Sequence, residues 1–297
     1  MAPKDGGILV LLASLWGASF LFMRVASPVL GPVLLIDLRV LIAGLVLILA
    51  AWVLHHRLRI LHQWKAYLLL GALNAAIPFC LIAAAELILD ASWAAILNAT
   101  TPLFTALVAY GWTHDPLTPK KLGGLVLGIV GVAVLVGWNA HPITEHMLLA
   151  VGLSLTAALF YGIGGVFASR RFRGETPLTL AIGQQLAAGT LLTPMAAFFL
   201  PHRLPGLGVI WSVLGLAVLS TSLGYLLYFR LIRHVGPIKT LGVTFLVPAF
   251  GVMWGWLFLH ESVSIGTFMG LVVILLSVTM VTNIPLKFQR KREPTPD

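Results

Sequence analysis

Residues 91–112 read ASWAAILNATTPLFTALVAYGW. The run carries no charge. As a helix it would extend about 33 Å at 1.5 Å per residue, enough to cross the roughly 30 Å of hydrocarbon in a bilayer. Near its middle stand Asn98, Thr100, Thr101 and Pro102. A proline inside a helix leaves the carbonyl four residues back without its donor, here that of Asn98. Asn98, Thr101 and Thr105 recur at i, i+3 and i+7, so a helix places them on one face. A polar face and a freed carbonyl within a membrane read as a place where something small binds. The rival reading is that the threonines bond back to their own helix and the proline only kinks it. Asn98-Ala99-Thr100 is also a glycosylation sequon. Because Asn98 would lie roughly 10 Å below the membrane surface, no glycan is expected there.

The rest of the chain agrees with a bilayer as its solvent. Of 297 residues, 59% are hydrophobic and 10% charged, against about a quarter charged in soluble domains. Apolar runs of spanning length fall near 6–26, 32–53, 66–88, 91–111, 119–138, 147–169, 177–200, 208–232, 236–258 and 263–284. Their connections are too short for a soluble domain. Cys80, the single cysteine, excludes an intramolecular disulfide framework. The net charge of +9 does not signal nucleic acid, because the basic residues form small clusters between apolar runs and no nucleic-acid motif appears. The first run follows Lys4 and has the look of a signal peptide, but its Trp-Gly pair recurs in the second half, which assigns it to the body of the protein.

Charge sets the expected orientation. With the N-terminus inside, cytoplasmic segments hold Lys4; Arg57, Arg59 and Lys65; Lys120 and Lys121; Arg170, Arg171 and Arg173; Arg230, Arg233 and Lys239; and Lys287, Arg290, Lys291 and Arg292. That is 16 of the 19 Lys and Arg residues. Only Arg203 falls in an outer loop, while Arg24 and Arg39 lie within helices. Such an alternation predicts both termini in the cytoplasm.

The chain also repeats itself at an offset of 145 to 147 residues. Trp16-Gly17 corresponds to Tyr161-Gly162, Pro32 to Pro177, and Ala43-Gly44 to Ala188-Gly189. Further on, Trp64 corresponds to Trp211, Pro102 to Pro248, His114-Asp115 to His260-Glu261, and Gly124 to Gly270. Matches in this order at nearly constant spacing mark an internal repeat. Five spans per half is an odd number, so the second half enters the membrane from the opposite side. The expected fold is therefore an all-α polytopic membrane protein of ten transmembrane helices in two inverted five-helix repeats. The repeats cover residues 1–140 and 141–285, and a basic cytoplasmic tail covers 286–297. Inverted repeats exchange inward and outward access around a midplane site, which points to a transporter.

These features together resemble the EamA-type members of the drug/metabolite transporter superfamily, over nearly the whole chain. The resemblance rests on the five-plus-five plan, Trp16-Gly17, the Pro32-x6-Arg39 spacing, Pro102 in the fourth helix, and an acidic turn before a glycine-rich fifth helix. Within the superfamily the chain is most like the YddG-type exporters of aromatic and other amino acids. Where the family has Gly-Glu at the acidic turn, this chain has His114-Asp115 and His260-Glu261. The resemblance implies a bacterial inner-membrane exporter of small metabolites.

Candidate site residues follow from the repeat. Asn98 pairs with Thr244 and Pro102 with Pro248, so two broken helices would face each other near the midplane, with the prolines as hinges. Asn74 pairs with Thr221, and Pro78 with Tyr225; Thr221, Tyr225 and Tyr228 form a polar-aromatic stripe at i, i+4 and i+7. Trp16 and Tyr161 add one aromatic from each half. With Thr101 these residues describe an apolar, aromatic cavity with a few hydrogen-bonding groups, suited to a neutral or zwitterionic molecule. Intramembrane aromatics more often pack than bind, and each alone carries little weight. Arg39, matched by the neutral Gln184, is either a carboxylate-binding group or part of a structural pair or outer gate with Glu86 or Asp37. The resemblance, in which this arginine accompanies different substrates, favours the structural role with Glu86 as partner. The fifth and tenth helices carry Gly124-x3-Gly128 and Gly266-x3-Gly270 and almost no polar residues; they read as scaffold or as a dimer surface.

Other classes fit less well. His260-Glu261 begins the zinc motif H-E-x-x-H, but position 264 is Ser, and no nucleophile–base pair has recognisable spacing. No enzyme, metal or cofactor site is therefore expected, and a receptor would have no use for an inverted repeat. A cationic-drug exporter needs an intramembrane carboxylate, and a sugar-phosphate carrier needs more than Arg39 against phosphate. A proton-coupled drug exporter stands as the alternative. The expected partners are an amino-acid substrate and the bilayer, with the protein a monomer or a dimer.

Overall fold

The computed structural model describes residues 2–282 except 57, 59, 139–142, 202 and 203. The tail 286–297 and Arg57, Arg59 and Arg203 lie outside the described residues. The described residues form helices and no strand. In chain order these are α1 (Pro3–Leu30), α2 (Pro32–Val53), α3 (Leu61–Ala85), α4 (Ala91–Thr113), α5 (Pro119–Gly137), α6 (Glu145–Arg171), α7 (Pro177–Ala196), α8 (Leu207–Val235), α9 (Val243–Leu259) and α10 (Ile265–Thr282). Eight of them are long and apolar enough to cross a membrane. The other two are α7, which carries Thr179, Gln184 and Gln185, and α9, which is 17 residues long.

Local chemistry sets the helix starts. Proline occupies the first turn of α1, α2, α5 and α7, where its missing N–H costs nothing and its fixed φ favours helix. Thr118, Thr144 and Thr176 cap α5, α6 and α7 by accepting from Lys121 N, Met147 N and Thr179 N at 3.3, 3.2 and 3.2 Å. Short connections make successive helices antiparallel. Asp5 at the start of α1 lies 3.7 Å from His234 at the end of α8, and His56 beyond α2 bonds Thr176 and Thr179 at the start of α7. The clusters around Lys120, Arg170, Arg230 and Arg233 therefore share one end of the bundle, the basic end.

Two long rods are interrupted by wide i→i+5 turns, Ala72–Ala76 in α3 and Gly215–Leu223 in α8. Inside the second, Thr221 and Ser222 donate to the carbonyls five residues back, Leu216 and Ala217, at 2.8 and 2.9 Å. The rod α4 breaks at residues 99–100, between Ala91–Asn98 and Thr101–Thr113. The expectation of matching breaks at the two prolines is corrected here. Helix α9 runs unbroken through Pro248, and its irregular turn comes earlier, at residues 241–242 after the short helix Pro237–Thr240.

Helix α1 packs on α8 and α9, α6 on α3 and α4, α2 on α7 and α8, α3 on α7, α4 on α9, and α5 on α10. The α5–α10 seam is glycine-lined: a Cβ on Gly124 would sit 2.7 Å from Val281 Cγ2, and one on Gly270 2.8 Å from Leu135 Cβ. The glycine faces that the sequence offered to a second copy are thus occupied within the chain. At the end opposite the basic one, α1 also packs on the last turns of α3 and the first turns of α4. Among the described residues, α6 makes no comparable packing with the basic ends of α8 and α9. The bundle is drawn together at one end and parted at the other.

Candidate functional site

The parting leads into a cavity of about 470 Å³ between the halves. Its most exposed wall residues, Gly165 and Leu241, lie towards the basic end. Trp16 and Tyr161 reach it from α1 and α6, Asn74 from the wide turn of α3, Thr221 from that of α8, and Tyr225 from the regular helix just after it. The break in α4 contributes Asn98, Thr101, Pro102 and Thr105, and α9 contributes Thr244 and Pro248. Most candidates thus meet in one place. Pro78 does not line the cavity; its neighbour Phe79 does, and Gln184 and Glu86 are buried outside its lining.

The polar groups of α4 serve two purposes at once. Thr101 Oγ1 donates to the Asn98 carbonyl at 2.7 Å, and Thr105 Oγ1 to the Thr101 carbonyl at 2.9 Å. The carbonyl freed by Pro102 is therefore taken by the next turn's own hydroxyl, a correction to its expected freedom to bind something else. The Asn98 side chain lines the cavity, and its Oδ1 is buried without a hydrogen-bond partner. A buried acceptor in that state costs on the order of 1–3 kcal/mol until a donor arrives.

Arg39 is the charged residue of the cavity wall. Its Nε donates to Thr221 Oγ1 at 3.0 Å, its Nη1 lies 3.6 Å from Met23 Sδ, and its guanidinium carbon stands 3.6 Å from the centre of the Phe79 ring. No ion pair joins it to Glu86 or Asp37 among the described residues. Asp37 instead accepts from Thr193 Oγ1 at 3.0 Å, and Glu86 is fully buried with neither carboxylate oxygen bonded. Arg24 reaches the Glu86 backbone carbonyl. The expected Arg39–Glu86 pairing thus gives way to hydrogen bonding and a cation–π contact, which leave much of the guanidinium's fork to a ligand.

The profile of the EamA-like transporter family matches residues 5–137 and again 148–283. The chain belongs to that family. It is a multi-pass membrane transporter rather than an enzyme. This EamA-like chain is 26% identical to the uncharacterized transporter YvbV of Bacillus subtilis over 284 residues, covering 93% of this chain and 90% of that one. It is 26% identical to the uncharacterized inner membrane transporter YedA of Escherichia coli, covering 93% and 90%. It is 24% identical to an Escherichia coli protein named "Probable amino-acid metabolite efflux pump", covering 93% of each. A solved crystal structure superposes with a TM-score of 0.67 at 18% identity, over 96% of this chain and 98% of that one, which shows the shared fold.

Wall residues of this EamA-like transporter that sequence reasoning passed over include Ser19, Met23, Phe79 and Ser220. Phe79 was one register away: at an offset of 146 rather than 147 it, not Pro78, is the partner of Tyr225. The wide turns differ in length, Ala72–Ala76 in α3 against Gly215–Leu223 in α8, and the offset drifts across them.

Proposed function

We propose that this transporter exports small zwitterionic metabolites, chiefly amino acids with apolar side chains, by alternating access of two inverted five-helix repeats. In this reading the chain makes ten spans with both termini cytoplasmic. One observation carries the substrate class. The cavity wall combines a guanidinium, Arg39, with the unpartnered Asn98 Oδ1, among aromatic and apolar surfaces and with no carboxylate among its described residues. A guanidinium suits a carboxylate, an amide oxygen and the faces of Trp16 and Tyr228 suit an ammonium, and the remaining volume suits an apolar side chain. A cationic drug would meet Arg39 with no acid to balance it. The Escherichia coli relative named as a probable amino-acid metabolite efflux pump supports the same class.

Packing supports the inverted repeat. If each helix is exchanged with the one five places on, α1–α9 becomes α6–α4, α3–α6 becomes α8–α1, and α3–α7 becomes α8–α2, all of them packed pairs. The pairs α2–α7, α4–α9 and α5–α10 map onto themselves. The exchange extends to single residues. A Cβ on Gly17 would meet Gly251 N at 2.9 Å and one on Gly162 would meet Thr105 N at 2.9 Å; Gly44 abuts Leu186 as Gly189 abuts Leu41. The family profile also matches each half separately. With the basic end cytoplasmic, the parted end faces inward, and transport follows when the second half adopts the closed packing of the first.

Counterflow in proteoliposomes tests the reading. Vesicles preloaded with unlabelled amino acid should take up labelled phenylalanine, threonine or methionine without a pH gradient, and Asn98→Ala or Tyr225→Ala should abolish the uptake. Absence of uptake with every amino acid, together with uptake of a cationic dye under a pH gradient, would replace this reading with that of a coupled drug exporter.

A further inference from the structure

Gln184 is buried outside the cavity lining, 4% exposed, yet its amide touches two residues that form the wall. Its Oε1 accepts from Asn74 Nδ2 at 2.8 Å, and its Nε2 donates to Tyr225 Oη at 2.5 Å. The repeat makes Gln184 the counterpart of Arg39, Asn74 that of Thr221, and Tyr225 that of Phe79. Arg39 serves the matching pair, bonding Thr221 at 3.0 Å and lying 3.6 Å from the Phe79 ring centre. At the same place in the two halves, a charged and a neutral residue therefore hold equivalent partners. The charged one lines the cavity and the neutral one does not.

We propose that Gln184 is a positioning residue that sorts the cavity into a donor side and an acceptor side, and so selects zwitterions over their uncharged-carboxyl analogues. The inference rests on the zwitterion reading above and names what enforces it. Hydrogen-bond direction is the reason. Because Tyr225 Oη accepts from Gln184, its own hydrogen is not needed there and turns to the cavity. Tyr225 sits in the wall with Arg39 and edge-on to Trp16, ring centres 6.4 Å apart. Tyr225 and Arg39 together form the side that donates to a carboxylate. Because Asn74 gives a hydrogen to Gln184, its Oδ1 remains an acceptor, close against Gly164 of α6. Asn98, on the rod α4 that also packs on α6, adds the second acceptor. A carboxylate and an ammonium on one carbon meet these two sides in a single orientation. An amide or ester loses the charge-assisted half of the donor side.

The test compares phenylalanine with phenylalanine amide in counterflow, using wild-type protein, Gln184→Leu, Tyr225→Phe and the double variant. Gln184→Leu frees Tyr225 to turn its hydrogen elsewhere. The half-saturation concentration for phenylalanine should rise roughly tenfold, the loss expected for one hydrogen bond to a charged group. The maximal rate should hold, and the preference over the amide should shrink by the same factor. Tyr225→Phe removes only the hydroxyl; it should show the same loss, and adding it to Gln184→Leu should cost little more. It also serves as the probe if Gln184→Leu does not fold. Unchanged selectivity in both single variants, or losses that simply add, would overturn the positioning role while leaving the zwitterion reading intact. Failure of the wild-type protein to exchange phenylalanine would overturn both.

Discussion

The Glu261 carboxylate caps the first turn of α4: Oε1 accepts from Ala91 N at 2.8 Å, and Oε2 from Ser92 N at 3.0 Å and from the Ser92 hydroxyl. An acid at a helix N-terminus meets unpaired N–H groups and the positive end of the helix dipole. Here the acid comes from the turn after α9, so the cap also ties α4 to α9 at the closed end of the bundle. Its counterpart in the repeat, Asp115, is exposed at the parted end. Glu261→Ala should lower stability by on the order of 2 kcal/mol, the combined worth of a cap and of hydrogen bonds to a charged group. It should also raise labelling of a cysteine introduced at Ser27, which is 1% exposed at that end, in a Cys80→Ser background. Thermal unfolding in detergent and thiol accessibility are the measurements, with Ser92→Ala giving the smaller effect. An unfolding temperature and labelling rate equal to those of the parent would show that the cap holds nothing shut.

Two equivalent helix approaches, at Gly17 and Gly162, should respond alike. Alanine at Gly17 would put a methyl 2.7 Å from Phe250 Cβ, and alanine at Gly162 would put one 2.9 Å from Thr105 N. Overpacking of this kind costs about 1–3 kcal/mol, so Gly17→Ala and Gly162→Ala should destabilise by similar amounts. Gly152, in α6 with nothing near its missing Cβ, is the control. There alanine should be neutral or stabilise by up to about 1 kcal/mol through helix propensity. Denaturant unfolding of the three variants decides the matter. A Gly152→Ala loss as large as the other two would mean that contact is not the cause.

His114 and His260 end α4 and α9 in the left-handed conformation, at φ 57° and 55°. These are the first positions of the acidic turns, where the resembling family has glycine. A residue with a Cβ is strained there by about 1 kcal/mol or more. His114→Gly and His260→Gly should each raise the unfolding temperature and leave transport unchanged. A fall in stability for both would show that the imidazoles make contacts worth more than the strain.

How far the sequence discloses this protein depends on the scale at which it is read. The bilayer-spanning runs and the repeat are written in hydropathy and spacing, signals that average over many residues, and α2 falls where the run 32–53 put it. The wide turns at Ala72–Ala76 and Gly215–Leu223 have no such signal. Each lies within a largely apolar run and holds a polar residue of the wall, Asn74 or Thr221. Beyond the turn in α3 it is Phe79, and not Pro78, that lines the cavity. The prolines illustrate the converse: Pro102 and Pro248 are equivalent in sequence, yet only the α4 rod is broken there. The two halves stand in different conformations, and a single chain cannot state that difference in its composition. Arg39 was recognisable as unusual, but its partners come from α1, α3 and α8, so only packing could reveal that Thr221 and Phe79, rather than Glu86, attend it.

Asn98 offers the sharpest separation of a binding residue from a merely structural one. Its Oδ1 is buried and unbonded, while its backbone carbonyl is already held by Thr101. Asn98→Asp keeps the shape and replaces that neutral acceptor by a carboxylate. If the oxygen receives a substrate ammonium, the added charge strengthens that contact and leaves Arg39 balanced within the protein. Cations without a carboxyl group then become acceptable. Phenethylamine, excluded from the parent by uncompensated Arg39, should be exchanged by Asn98→Asp, and its rate relative to phenylalanine should rise by roughly tenfold, the worth of one charge-assisted hydrogen bond. Asn98→Ala should lose phenylalanine exchange and gain none with phenethylamine. Paired counterflow assays with the two labels give the ratio directly. If Asn98 only supports the break in α4, both variants should lose stability together and the ratio should stay at its parental value. That outcome would remove Asn98 from the site and leave Asn74 Oδ1 as the acceptor.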